Sequence, residues 1–296
     1  AVLSAAGDTK RPLYYLAFAG VVNVILNLFF VIVCHLGVAG VALASMISQF
    51  ISAFLILRAL LTGKEKYCLR LSEIRFDKRK AVGILQIGIP SAFQYSLFAF
   101  ANLFVQSSVN SFDHVLVEGN SAAANADPLV YDMMAAFYTA CSSFIAQNFG
   151  ARKKKRILQT YLICLFYSFI TSLVLGVGIY LARYPFLYLF TSDKAVVEAG
   201  ITRLSIMALS YSASAFMDAS IAASRGLGKT AVPTFVVVMG SCVFRIIWIY
   251  TIFAYFHTIQ SLYILYVFSW GITAIAENIY FFHVYRHTLT EKKELC

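Results

Sequence analysis

Residues Gly7–Pro12 read GDTKRP, and Gly228–Pro233 read GKTAVP. Each copy follows an apolar helical stretch and opens another. Gly just past a helix end tolerates the left-handed backbone of a C-cap, and Pro fits the first turn of the next helix. A phrase that returns after about 220 residues signals a duplicated architecture. The same turn in both copies, each between hydrophobic segments, sets the reading of everything around it.

Working outward, 60% of the residues are apolar and only 13% are charged, and mean hydropathy is +0.76. Soluble domains carry roughly 25% charged residues. The composition therefore gives an integral membrane protein. Eight apolar runs are long enough to cross a hydrocarbon core of about 30 Å: 12–34, 38–62, 82–108, 128–149, 157–182, 197–224, 232–256 and 261–285. Spanning backbone must satisfy its own hydrogen bonds, so these runs are helices. No barrel-like series of alternating ten-residue segments is present. The expected class is an all-α polytopic bundle.

The net charge of +10 is distributed by side. Lys10, Arg11, the basic residues between Arg58 and Lys80, the run Arg152–Arg156, Arg225, Lys229 and Arg286 fall at alternate junctions. The opposite junctions hold Asp113, Glu118, Asp127, Asp132, Asp193 and Glu198, with only Arg183, Lys194 and Arg203. By the positive-inside rule the basic side is cytoplasmic. This pattern reads as anchoring charge toward membrane lipid rather than a nucleic-acid patch. The six cysteines show no CxxC spacing and the five histidines are scattered, so neither disulfide nor metal is expected.

The opening AVLSAAG matches ASIAASRG at Ala219–Gly226, the end of the span before the second phrase. Four spans precede that phrase within its half. If the halves match, four should precede the first phrase also. The expectation is a two-lobed parent of twelve helices with eight present: 1–62 as the last two helices of one lobe, 63–81 as the linker, 82–286 as the second lobe and 287–296 as a tail. Parallel repeats of this kind are related by an axis along the membrane normal.

Several segments together resemble the multidrug and toxic compound extrusion (MATE) family, its bacterial members most. They are the two Gly-x-Thr-x-x-Pro turns, GVAGVALASMISQ (Gly37–Gln49), IGIPSAFQYSLFAFANLFVQSSVNSF (Ile87–Phe112), EGNSAAAN (Glu118–Asn125), FIAQNFGA (Phe144–Ala151) and FRIIWIY (Phe244–Tyr250). The resemblance covers nearly the whole chain. It implies a non-enzymatic antiporter of the bacterial cytoplasmic membrane that expels small organic cations or drugs in exchange for Na+ or H+, with no cofactor, acting as a monomer. A flippase of a lipid-linked precursor, performed on related folds, is the alternative. A membrane-embedded enzyme would need paired carboxylates, HExxH or a Ser–His couple at membrane depth, and none appears.

Ionisable groups within spans are costly and so mark function by default. Three stand out: Asp218, Arg245 and Glu277. Asp218 reads either as a cation or proton site or as a partner for Arg225. Arg245 and Glu277 project to comparable depth on adjacent helices, as a salt bridge or as substrate groups. In the third span Ser91, Gln94, Asn102 and Gln106 share a stripe, facing either a partner helix or an aqueous cavity. Pro90 interrupts that helix's ladder and marks a hinge. Asn23 and Asn27 make a shorter stripe in the first span. Tyr131, Phe137, Tyr138, Tyr211 and Phe216, with Met133, Met134, Met207 and Met217, are candidates to line a cavity for bulky cations. In the family, some members use an acid in the seventh span together with an Asp in the tenth. Here the matching stretch Phe93–Phe104 has no acid, while Asp218 lies in the matching tenth span. Sodium and proton coupling both stay open.

Overall fold

The computed structural model describes residues 2–5, 7–62, 68–70, 72 and 74–288. Part of the expected linker, with Lys64, Glu65, Lys66 and Glu73, lies outside the described residues, as does most of the tail, with Lys292 and Lys293. The described residues contain helices and no strand. Eight of these helices are long and apolar enough to cross a membrane: α1 (Lys10–Val33), α2 (Gly37–Thr62), α3 (Lys78–Val109), α4 (His114–Gly150), α5 (Lys154–Leu181), α6 (Lys194–Gly226), α7 (Ala231–Phe256) and α8 (Ile259–His287). The eight apolar runs are therefore the eight spans.

Boundaries differ from the hydropathy reading where polar residues are helical. Lys78, Arg79 and Lys80 belong to the first turn of α3. At α4, Asp113 caps the helix by accepting from the Leu116 amide at 3.0 Å, so His114–Ala124 is helical well before the apolar run begins. Asp193 does the same for α6 through the Ala195 amide at 2.8 Å. A capping carboxylate satisfies amides that the helix itself leaves open, which hydropathy does not register.

Contacts divide the chain into one unit of Ala1–Asp77 and another of Lys78–Cys296. In the first, α1 packs on α2, and the Asn23 stripe serves that packing. Asn23 donates to Ser48 Oγ at 3.1 Å, and Asn27 donates to Asn23 at 2.9 Å. In the second, α6 is central: its neighbours are α4, α5 and α8. Its buried face is Ala, Gly and Ser for most of its length, the small residues that let helix backbones approach in a membrane.

The two phrases fold alike. Gly7 and Gly228 have φ of +89° and +76°. Across each, the next amide closes on the carbonyl five residues back: Asp8 on Leu3 and Lys229 on Ser224, both at 3.0 Å. This is the Schellman cap. Thr9 and Thr230 then open α1 and α7, and Pro12 and Pro233 are each the third helical residue. The likeness continues beyond the phrase. Both helices carry a π-helical turn near their far ends, Phe29–Val33 and Ile249–Phe253. Soon after each comes a left-handed histidine, His35 at +52° and His257 at +47°. The repeat is thus a helix–corner–helix unit, found once in each half of the chain.

Candidate functional site

A cavity of about 390 Å³ lies within the Lys78–Cys296 unit. One wall is α3, which contributes Gln94, Phe98, Asn102 and Gln106. Three of the four stripe residues therefore face the cavity, whereas Ser91 donates to the Ile87 carbonyl of its own helix at 2.9 Å. Gln94 Oε1 accepts from Arg225 Nη2 at 2.9 Å and from Thr234 Oγ1 at 3.3 Å. Asn102 Oδ1 accepts from Arg245 at 2.8 Å. Gln106 donates to Asn110 at 2.9 Å on its own helix.

The opposite wall is aromatic and sulfur-rich. Tyr131, Tyr138, Tyr266, Trp270, Met207 and Met217 line it. Tyr131 and Trp270 meet edge to face with ring centres 6.0 Å apart, and Tyr266 and Trp270 are 5.3 Å apart. Tyr211 packs behind Tyr131. The other candidates lie elsewhere. Phe137 stacks on Tyr167, Phe216 meets Phe169, Met133 is exposed and Met134 is wholly buried.

Asp218, half-buried on α6, lines the cavity. Arg245 and Glu277 do not. Arg245 is fully buried one layer behind, with its guanidinium 4.7 Å from the centre of Phe98 and 4.6 Å from that of Tyr266. It donates to Asn102 and, at 3.3 Å, to Ser269. The expected Arg245–Glu277 salt bridge does not form. Arg245 is level with Ser269, eight residues and therefore about 12 Å of helical rise from Glu277. Glu277 lies four residues beyond the midpoint of α8 toward its C-terminal end, whereas Arg245 is near the midpoint of α7, so equal depth is not met. Glu277 is wholly buried, and among the described residues neither of its oxygens has a hydrogen-bond partner.

Pro90 lies inside an unbroken α3. Its ring has no N–H for the Gln86 carbonyl one turn earlier. The Thr230 hydroxyl, from the second phrase, donates to that carbonyl at 3.4 Å. With Arg225 and Thr234 on Gln94, the α6–α7 corner thus holds α3 on both sides of the proline.

One cluster escaped the sequence reading, which assigned Asp127 and Arg203 to the outer junction. Both line the cavity. Arg203 is 6% exposed; it forms an ion pair with Asp127 and donates to Asn120 Oδ1 at 2.7 Å. Tyr211 donates to the second Asp127 oxygen. The available signal was spacing: Arg203, Met207, Tyr211, Ser214 and Asp218 recur every three or four residues along one side of α6.

The molecule is thus a polytopic helical membrane protein whose second unit encloses a cavity with aromatic, acidic and amide walls. The profile described as MatE matches residues 90–251, and the chain belongs to that family. A probable multidrug resistance protein YpnP of Bacillus subtilis is 32% identical over 157 residues, covering 53% of this chain and 35% of the relative. A probable multidrug resistance protein NorM of Thermotoga maritima is 24% identical over 242 residues, covering 79% of this chain and 51% of the relative. A solved MOP superfamily transporter from Pyrococcus furiosus, described as having a binding pocket of reverse polarity, superposes with a TM-score of 0.88 at 20% identity. That match covers 95% of this chain and 64% of the other. An outward-facing multidrug resistance MATE family transporter gives a TM-score of 0.87 at 20% identity, with the same coverage. The chain spans about half the length of the NorM relative or less for YpnP, and shares the fold of the solved transporters.

Proposed function

We propose that the natural gene product exports small organic cations from the bacterial cytoplasm by antiport with Na+ or H+. The observation that carries this reading is the meeting of Asp218 with Tyr131, Tyr138, Tyr266 and Trp270 in one cavity. Aromatic faces attract a bulky organic cation, and a carboxylate in the same space attracts either that cation or the coupling ion. A cavity near 390 Å³ falls in the range of small-molecule sites. Coupling results if occupancy is exclusive, because each ligand then favours the conformation it binds better. The α3 segment around Pro90 supplies the joint in this scheme. Glu277 is a second ion site: a proton or cation would satisfy a buried carboxyl that has no donor.

A second reading has its own support. Arg245, behind the lining, has one terminal nitrogen without a hydrogen-bond partner and no carboxylate beside it among the described residues. Its charge would favour an anionic cargo, such as a flavin nucleotide or a lipid-linked precursor. One relative, 24% identical over 203 residues, is named a FAD transporter, from Shewanella oneidensis.

Efflux of ethidium and of FAD by the natural gene product in a pump-deficient strain, with and without a sodium gradient, separates the readings. Ethidium efflux that falls at least about tenfold in Asp218→Asn, at unchanged protein level, supports the first. FAD efflux alone supports the second. Full transport by both Asp218→Asn and Glu277→Gln removes these carboxyls from coupling.

A further inference from the structure

Three adjoining depressions wind around α8 toward its C-terminal end. The first, about 560 Å³, lies between α6 and α8 and is apolar, with Phe216, Ile275 and Ile279 around the small residues Ala213 and Gly271. The second shares Asn278 and Ile279 with it and continues to His283 and His287. The third, about 750 Å³, shares those two histidines and adds Arg152 from the end of α4 and Lys229 from the second phrase. No carboxylate lies among the described residues lining the third.

The dimensions and polarity of this track match one kind of molecule. From Gly271 to His287 the helix rises about 24 Å. One leaflet, from bilayer midplane through the headgroup region, is about 20 Å deep. The apolar end sits where an acyl chain runs. The basic end lies on the side rich in Lys and Arg, which the charge rule makes cytoplasmic, where anionic headgroups concentrate. Arg152 adds a further sign. It is the left-handed residue of the α4 C-cap, with φ of +55°, closed by the Lys153 amide on the Asn148 carbonyl at 2.9 Å. Glycine is the ordinary occupant of that position; here a guanidinium stands beside the basic hollow instead.

We propose that this track is a binding site for one anionic phospholipid of the cytoplasmic leaflet. Its phosphate is held by Arg152, Lys229 and His283, and one acyl chain lies in the groove beside Gly271. The lipid is a bound component of this surface, separate from the cavity lined by Asp218.

The test is native mass spectrometry of the delipidated natural protein titrated with phosphatidylglycerol or phosphatidylcholine of identical chains. One phosphatidylglycerol should be retained, in at least about tenfold preference over phosphatidylcholine. Arg152→Gly keeps the cap conformation, and Lys229→Gln removes a second charge. Each should lower phosphatidylglycerol retention about fivefold. A Cβ added at Gly271 meets nothing within 4 Å, so Gly271→Leu fills the groove without disturbing the interior and should weaken both lipids. Equal retention of the two lipids, or an unchanged preference in Arg152→Gly/Lys229→Gln, would overturn the proposal. Displacement of phosphatidylglycerol by excess inorganic phosphate, with no effect of Gly271→Leu, would overturn it too and mark a free-anion site.

Discussion

Helices α5 and α6 are neighbours of similar length with opposite chemistry. The most apolar window of α5 has a mean hydropathy of 2.3 and is 22% buried. That of α6 has a mean hydropathy of 1.2 and is 67% buried. The more hydrophobic helix is the less enclosed one. In water the order would be reversed. In a bilayer the lipid accepts Leu, Ile and Phe, whereas polar groups need protein partners. For this pair hydropathy reports contact with lipid, and the helix that organises the unit is the one with Arg203, Asp218, a serine series and little bulk.

The largest test of this contrast uses two glycines of α5. A Cβ at Gly176 would collide with the Ala208 carbonyl of α6, whereas one at Gly178 meets nothing within 4 Å. Gly176→Leu should abolish a monodisperse, folded protein in detergent, and Gly178→Leu should leave elution and melting unchanged. Equal tolerance of both would mean that α5 and α6 are not in backbone contact. Next in size is the buried charge on α6. Arg203→Met strands Asp127 and should cost about 3 kcal/mol, read as a large fall in melting temperature. Adding Asp127→Asn should recover most of it. The smallest effect belongs to the lipid face of α5. Val174 is 63% exposed, and Val174→Ala should shift stability by less than about 0.5 kcal/mol.

The same contrast explains why some features were legible in the residues alone. Spans were legible because crossing lipid demands length and apolarity, and all eight runs are spans. The corner at Gly7 and Gly228 was legible because a left-handed cap has few acceptable residues. The α3 stripe was legible through its period. Asp127 and Arg203 were not, because near a span end hydropathy does not tell a side chain turned to solvent from one turned inward. Arg245 was misplaced against Glu277 because position within an apolar run gives depth only to within a turn or two, and Glu277 lies beyond the midpoint of α8. Glu277 could be placed in a span but not given its surroundings, since burial without a donor is a property of packed helices together rather than of any one of them.

The contact between Thr230 and the Gln86 carbonyl has a mechanical corollary. A helix ordinarily resists flexure because each turn must surrender main-chain bonds. At Pro90 that bond was never made, and its stand-in is one long hydroxyl contact worth on the order of 1 kcal/mol. Thermal agitation can exchange such a contact for a water molecule at little expense. The restraint on α3 is then carried by the remaining bonds of the α6–α7 corner, from Arg225 and Thr234 to Gln94, so a displacement of that corner would be relayed along α3 as a change of angle.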